Sequence, residues 1–348
     1  MGVGISLSGL AAAVATAGAI GVIATAGIGQ FEPDWRTNFK EANKRALRRE
    51  IKTAKANTDG IIGVNIMVAL SDFDELIQGA VDERVDILFL GAGLPIKLPK
   101  TLPLDALGGL HTRFVPIVSS GRAADLIFKS WAKHFSHVPD GVVVEGPMAG
   151  GHLGFRKEQI DDPDYALEKI LPDVICAIKP YEQQFGKGIP VIAGGGIYTG
   201  EDIYKFMQLG AGGVQMATRF VATFECDASD EFKQTFLKCT RDDIIIIDSP
   251  VGLPGRAIRC DFLDRVASGA KEPFECNWKC LKSCDFKNVP YCIGLALTNA
   301  KKGDLEHGFA FAGANAYRVD KLVSVKELID ELMEGYELAA GQKAAANV

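Results

Sequence analysis

The segment VVVEGPMAGGHLGF, residues 142–155, places His152 directly after two glycines. Glycines let the backbone approach a ligand closely, and an imidazole with an unperturbed pKa of about 6.5 takes up protons near neutral pH. We therefore predict that His152 is a catalytic general base; the alternative is a structural histidine that caps a turn. The remaining histidines lack such a glycine-rich context and receive no role: His111, His134, His137 and His307.

Two further glycine-rich stretches are suited to binding a phosphate group. They are IPVIAGGGIYTGEDI, residues 189–203, and AGGVQMATRF, residues 211–220. Glycines expose backbone N–H groups, which form an anion-binding cradle together with the N-terminus of a following helix. One glycine triplet is also common in tight turns, but two such stretches after neighbouring strands favour a phosphate-bearing cofactor.

These segments follow short β-branched runs that alternate with amphipathic helical stretches. Eight candidate strands can be counted, the first as a remnant: residues 3–6, 20–24, 63–67, 85–90, 113–118, 141–145, 189–193 and 212–216. The helical stretches include residues 34–57, 72–84, 121–134, 165–185 and 199–209. This alternation predicts an α/β fold, a (β/α)₈ TIM barrel, in preference to an open doubly wound sheet. The active site of such a barrel lies at the carboxyl ends of the strands, where these glycines stand.

The alternation stops after residue 220. Residues 240–315 are predicted to be irregular and rich in Cys, Pro and Gly, and a closing helix is predicted from Ser324. We assign residues 1–225 and 316–345 to the cofactor-binding barrel, and residues 226–315 to a cap on the substrate side that contains most of the cysteines.

Composition narrows the class of function. Lys and Arg number 38 against 44 Asp and Glu, so the net charge is −6 and argues against nucleic-acid binding. Residues 1–31 carry no charged side chain, but they lack the basic start of a signal peptide and are broken by glycines. We interpret them as buried barrel elements rather than a membrane span. Eight cysteines in 348 residues are too sparse for a small secreted scaffold and predict a cytoplasmic protein.

Four of the cysteines are concentrated in CNWKCLKSCDFKNVPYC, with the spacing C-x₃-C-x₃-C-x₇-C: Cys276, Cys280, Cys284 and Cys292. If the first part is helical, three thiols share one helix face, and Cys292 returns toward them after Pro290. Four thiolates hold zinc or an iron–sulfur cluster in other proteins, although the familiar signatures contain at least one x₂ spacing. Buried, redox-passive thiols are the alternative, and we assign no metal ligand from the sequence.

The motifs GVNIM, EGPMAGGHLG, IAGGGI, QMATRF and PYCIGLAL together resemble those of the nitronate monooxygenases, formerly called 2-nitropropane dioxygenases. They are also similar to the related FMN-dependent enoyl-acyl-carrier-protein reductases. The resemblance spans essentially the whole chain and implies FMN as cofactor and His152 as the catalytic base. It further implies a set of FMN contacts: Asn65, Glu145, Gly150, Gly195, Gly196, Gln215, Met216, Ala217 and Thr218.

The activity that this resemblance implies is FMN-dependent oxidation of alkyl nitronates with O₂ to a carbonyl compound and nitrite. The alternative on the same barrel is an NAD(P)H-dependent enoyl-acyl-carrier-protein reductase. A third hypothesis, of another class, is a flavin-binding protein without turnover. The expected partners are a nitronate or nitroalkane and O₂, without nucleic acid or membrane, and a homodimer is compatible with this reading.

Some positions depart from the family pattern. Glu145 stands where Gln is usual, Met148 where Glu is usual, and Ala217 where Gly is usual, whereas AGGHLG is intact. Family members also carry an N-terminal segment that ends in a Gly-Gly-Met-Gly turn, and this chain begins at the Met of that turn. We therefore expect a truncated first strand and a barrel with two unpaired edges.

Overall fold

The computed structural model describes residues 2–346, in which strands and helices alternate. The strands are β1 (Gly21–Ala24), β2 (Ile62–Met67), β3 (Ile87–Gly91), β4 (Arg113–Val118), β5 (Val142–Glu145), β6 (Gly151–His152), β7 (Val191–Gly194), β8 (Gly213–Gln215), β9 (Ile244–Asp248) and β10 (Pro254–Ile258). The helices are α1 (Ser8–Thr16), α2 (Phe39–Asn57), α3 (Phe73–Asp82), α4 (Gly121–Phe135), α5 (Lys157–Ile160), α6 (Leu167–Phe185), α7 (Gly200–Gln208), α8 (Thr218–Val221), α9 (Asp230–Lys238), α10 (Asp261–Ala267), α11 (Ile293–Lys301) and α12 (Val325–Ala346). The five predicted helical stretches correspond to α2, α3, α4, α6 and α7.

Seven parallel strands form the main sheet, in the order β1-β2-β3-β4-β5-β7-β8. At its carboxyl edge Glu145 lies beside Gly194, and Gly194 lies beside Gln215. The sheet curls with helices around it, so the α/β fold of the (β/α)₈ barrel type is confirmed. Within residues 2–346, β1 and β8 do not pair with each other.

The predicted strand remnant at residues 3–6 is wrong. This segment forms a turn because Gly4 has a φ of +66°, which is incompatible with an extended strand. Only its end reaches the sheet: the Ser6 carbonyl accepts a hydrogen bond from the Ala24 N–H at 2.9 Å, and the Ser6 hydroxyl donates to the Val22 carbonyl at 2.6 Å.

The uncharged stretch that follows forms α1 and β1. Four apolar residues of α1 are buried: Leu10, Ala11, Ala12 and Ala15. The interpretation of this stretch as buried fold elements is therefore confirmed. No helix in the described part of the chain combines the length and the apolar character needed to cross a bilayer.

Side chains of the main sheet alternate between the barrel interior and the helix layer. On β5, Val142 and Val144 pack in the helix-facing core, whereas Val143 packs in a small cluster inside the barrel. Glu145, two residues after Val143, therefore lies on the inner side at the carboxyl end. Asn65 of β2 is also on the inner side, because both of its neighbours in the strand pack in the helix-facing core.

A second, antiparallel sheet has the order β6-β10-β9. It places Gly255 of β10 opposite His152 of β6. Residues 240–315 are thus more regular than predicted, since they contain the β9–β10 hairpin, α10 and α11; the stretch between α10 and α11 has neither helix nor extended strand. The predicted closing helix is confirmed as α12, and Ser324 caps it by accepting a hydrogen bond from the Glu327 N–H at 3.1 Å.

Candidate active site

The residues predicted to form the site lie at the carboxyl end of the main sheet. Glu145 ends β5, Gly195 and Gly196 follow β7, and Gln215 ends β8 and leads through Met216 and Ala217 to Thr218, the first residue of α8. Gly150 lies in the turn after β5, and His152 lies in β6, which follows that turn. Asn65 lies on β2, separated from β5 by two strands, and shares only the inner face of the sheet with the others.

His152 is half-buried and makes two contacts with the region after residue 240. Its Nε2 lies 2.7 Å from the Oγ of Ser249, and its ring meets the ring of Phe311 edge-on, with centroids 5.0 Å apart. Burial lowers the pKa of His152 to about 4. The imidazole is therefore neutral at neutral pH, the form that accepts a proton.

The hydrogen bond to Ser249 determines which ring nitrogen is basic. If Nε2 carries the hydrogen, the Ser249 hydroxyl accepts it, and Nδ1 keeps a lone pair for an incoming proton. In the opposite tautomer Nδ1 carries the hydrogen and Nε2 is occupied by Ser249. Base chemistry at His152 thus requires Ser249 to act as the acceptor.

Arg256 of β10 holds the turn that precedes His152. Its side chain is 6% exposed, and its Nη1 donates hydrogen bonds to the carbonyls of Pro147 and Ala149, the latter at 2.7 Å. Gly150 is tightly enclosed, since a Cβ there would lie 2.5 Å from the carbonyl carbon of Ala312. The backbone around His152 is thus fixed from two sides.

The glycine turn after β7 packs against the turn after β5. Gly195 and Gly196 have φ angles of +95° and +87°, which favour glycine over other residues. A Cβ at Gly195 would lie 2.9 Å from the Gly146 carbonyl oxygen, and one at Gly196 would lie 2.9 Å from the Met148 Cβ. The turn after β7 therefore requires glycine at both positions, for packing as well as for conformation.

Residues 313–315 join three of these turns. The Gly313 N–H donates to the Thr218 hydroxyl at 3.2 Å, the Ala314 N–H to the Met148 carbonyl at 3.0 Å, and the Asn315 amide to the Gly196 carbonyl at 2.7 Å. This segment thus brings the ends of β5, β7 and β8 into one arrangement.

Two polar side chains on the inner face are suited to binding a polar ligand. The Asn65 Oδ1 is buried without a hydrogen-bond partner in the described structure. Burial raises the pKa of the Glu145 carboxyl, which favours the protonated form, a hydrogen-bond donor. A protonated Glu145 can donate a hydrogen bond as the amide of the family's usual Gln does.

Sequence reasoning missed several residues of this site: Ser249, Arg256, Phe311 and Asn315. All lie in the region predicted to be irregular. The sequence does contain a local pattern that predicts the hairpin. IIIID and GRAI flank SPVGLP, a Pro- and Gly-containing connection typical of a β-hairpin. The approach of that hairpin to His152 depends on tertiary packing.

The four clustered cysteines line one small cavity, although no helix brings them together. Burial, together with the three neighbouring cysteines, raises the pKa of Cys280 to about 12. Cys280 is therefore a neutral thiol in the structure as described.

A curled parallel sheet that presents a histidine and glycine-rich turns at the carboxyl ends of its strands defines an enzyme of the (β/α)₈-barrel class. The chain belongs to the nitronate monooxygenase family, whose model matches residues 71–335.

Curated relatives carry two kinds of name. One is (3aS,4S,5R,7aS)-5-hydroxy-7a-methyl-1-oxo-octahydro-1H-indene-4-carboxyl-CoA dehydrogenase of Mycobacterium tuberculosis, 26% identical over 262 residues, which are 75% of this chain and 62% of the relative. Another is a probable nitronate monooxygenase of Staphylococcus haemolyticus, 28% identical over 270 residues, which are 75% of this chain and 66% of the relative. The chain thus spans about three fifths of the first relative and just under two thirds of the second.

Solved structures resemble the chain over nearly its whole length. FabK from Thermotoga maritima has a TM-score of 0.72 and 26% identity, covering 99% of this chain and 92% of that chain. Nitroalkane oxidase from Streptomyces ansochromogenes has a TM-score of 0.73 and 20% identity, covering 98% of this chain and 95% of that chain, and supports the fold alone.

Proposed function

We propose that this chain oxidises alkyl nitronates with FMN as cofactor and O₂ as oxidant, giving a carbonyl compound and nitrite. The observation that carries the proposal is a half-buried, neutral His152, held by Ser249 at the carboxyl end of the barrel among the glycine-rich turns. Family membership and the similarity to the probable nitronate monooxygenase of Staphylococcus haemolyticus support it.

The residues present fit an FMN molecule. A cofactor with a phosphate group and a polar ring edge needs backbone N–H donors, a hydroxyl and side-chain hydrogen-bonding groups. Gly195, Gly196 and Thr218 would hold the phosphate, while Asn65, with its unpartnered Oδ1, and Glu145 would bind the ring edge. The proposal includes the remaining contacts that the resemblance implies: Gly150, Gln215, Met216 and Ala217. FMN, when bound, supplies the redox chemistry between substrate and O₂.

The chain's own contribution is positioning and proton transfer. A neutral nitroalkane has an acidic C–H next to its nitro group, and His152 takes this proton at Nδ1 while the Ser249 hydroxyl accepts a hydrogen bond from Nε2–H. Arg256 keeps the preceding turn in place through its bonds to the Pro147 and Ala149 carbonyls. We further propose that residues 226–315 cap the substrate side of the barrel.

The phosphate cradle is tested by Gly195→Asp. A carboxylate at this turn would repel the phosphate, so we expect the purified variant to lose most of its bound FMN, measured from flavin absorbance per chain. Gly195→Asn, with a similar shape and no charge, separates repulsion from backbone strain. Gly188→Asp is the matched surface control, because Gly188 has open space around it. Full FMN content in Gly195→Asp would show that this turn does not bind the phosphate.

A second candidate is an NAD(P)H-dependent enoyl thioester reductase on the same barrel. It is favoured by exposed apolar side chains in the connections around the site, which suit an acyl chain: Leu94, Ile96, Met148 and Leu253. The similarity to FabK and to a dehydrogenase named for a CoA substrate also favours the reductase. Rapid anaerobic reduction of the flavin by NAD(P)H would support the reductase, and reduction by nitronate alone would support the monooxygenase.

A further inference from the structure

Four cysteine side chains converge on a cavity that the proposed reaction does not use. The cavity measures about 20 Å³ and is lined by Cys276, Cys280, Cys284 and Cys292, by Lys279 and by apolar side chains such as Phe274. None of the eight cysteines forms a disulfide bond. A cluster of free thiols around one cavity is suited to a soft metal ion.

The chain fixes Cys280 on the barrel rather than on a helix. Lys279 has a φ of +44°, which breaks the helical spacing that the sequence suggested. The carbonyl of Cys280 accepts a hydrogen bond from the Ser71 N–H at 2.9 Å, and the Lys282 N–H donates to the Ala69 carbonyl at 3.0 Å. The backbone that carries the Cys280 thiol is thus anchored to the turn after β2.

Cys292 has a different anchor from Cys280. It is the N-cap of α11, and its thiol makes no capping hydrogen bond to the first turn of that helix. By contrast, the S–H groups of Cys226 and Cys239, which lie outside the cavity, donate to backbone carbonyls at 3.4 Å and 3.3 Å. The sulfur of Cys292 is thus not engaged by the helix N-terminus.

The size of the cavity favours a single metal ion over an iron–sulfur cluster. About 10–15 Å³ accommodates one water-sized atom, so about 20 Å³ suits a single ion rather than a cluster of several iron and sulfide atoms. In residues 2–346 as described, no three Cys, His, Asp or Glu side chains are already arranged as a ligand set. Binding therefore requires the thiols to rotate inward, as is common when metal binding is coupled to local folding.

We propose that Cys276, Cys280, Cys284 and Cys292 bind one thiophilic divalent ion of the Zn²⁺ class, in a structural site that joins the turn after β2 to α11. The four S–H bonds break, four protons are released to solvent, and four metal–sulfur bonds form, without any change in oxidation state. Harder ions such as Mg²⁺ are excluded because every donor is sulfur. The inference is independent of the proposed reaction.

The test uses Co²⁺ as a spectroscopic probe on the full chain, reduced and treated with a chelator. Tetrahedral sulfur ligation of Co²⁺ gives intense d–d and sulfur-to-metal charge-transfer bands. We expect one Co²⁺ per chain, displaced by Zn²⁺, and loss of these bands in Cys280→Ser. Cys239→Ser, a buried cysteine outside the cavity, is the matched control and should keep them.

A second measurement does not depend on the folding of a variant. Zn²⁺ should protect the four cavity thiols of the wild-type protein from a thiol-reactive reagent, while exposed Cys176 stays reactive; peptide mapping identifies the labelled positions. Absence of Co²⁺ bands in the wild type, unchanged bands in Cys280→Ser, or unchanged labelling with Zn²⁺ would overturn the proposal. Iron and acid-labile sulfide in protein purified without air would overturn the single-ion site.

Discussion

His152 and His134 differ in the hydrogen-bond partners of their ring nitrogens. The Nε2 of His152 is committed to Ser249, so any proton taken from a substrate goes to Nδ1. By contrast, His134 is exposed on α4 and its Nδ1 lies 2.9 Å from the Ser130 carbonyl, a contact within its own helix. These two histidines therefore form a natural pair of test and control positions.

We expect His152→Asn to lower turnover of a neutral nitroalkane by roughly 10²–10⁴-fold, the usual contribution of a positioned general base. The same variant should oxidise a pre-formed nitronate with a much smaller loss, because that substrate has already lost its proton. Steady-state rates on both substrates, normalised to flavin content, measure the difference, and His134→Asn serves as the control. Equal losses on the two substrates would show that His152 is structural.

We expect the pH dependence of turnover to follow the protonation of His152. Burial lowers the pKa of His152 from 6.5 to about 4, so the imidazole stays neutral and basic above that pH and becomes protonated below it. Turnover of the neutral nitroalkane should therefore fall as the pH decreases through about 4 rather than through about 6.5. A pH profile of kcat/KM checks this, and His152→Asn should lack the inflection. An acid limb near 6.5 would contradict the effect of burial.

Among the secondary-structure elements, the β9–β10 hairpin supports the carboxyl end of the barrel around His152. It contributes Ser249 from its loop and Arg256 from β10, and it pairs with β6 at His152. A short β6 of two residues has little stability of its own, so its position depends on this pairing. The hairpin is thus the element whose loss would displace His152 first.

Replacing Arg256 tests this role. Arg256→Met leaves the buried carbonyls of Pro147 and Ala149 without their donor, which should lower the free energy of unfolding by about 1–3 kcal/mol. We also expect a larger loss of kcat on the neutral nitroalkane than on the nitronate, with partial recovery in Arg256→Lys. Urea denaturation and the two rates measure these effects. Arg259→Met is the control, since Arg259 forms an exposed ion pair with Asp264; similar behaviour of both variants would count against the role of Arg256.

For the whole molecule, the sequence predicted the barrel because its strands carry a strong local pattern. The runs that became β2, β4 and β5 are β-branched, buried and separated by amphipathic helices, so local periodicity and tertiary burial agree. The glycine-rich turns were visible for the same reason, since close packing at Gly195 and Gly196 requires the residue type itself.

The remaining structure could not be predicted because it depends on contacts between distant residues. β6 is too short to show a pattern, and Ser249 lies 97 positions from His152. The cysteine segment has helical spacing, but the φ of Lys279 and the hydrogen bonds of Cys280 to the barrel override it. The strand expected at residues 3–6 failed because Gly4 turns the chain. The division into barrel and cap stays a prediction.

The loop between β9 and β10 contributes residues to two sites. Ser249 contacts His152, and Val251, two residues further on, lines the cavity of the four cysteines. So short a loop has few rotatable bonds, and a shift at one end is transmitted to the other. Substitutions at the two places should therefore be epistatic, with effects that do not add. In evolution, a substitution in the cysteine cavity that displaces the loop would be tolerated only with a compensating substitution around His152. We therefore expect the two sites to evolve together.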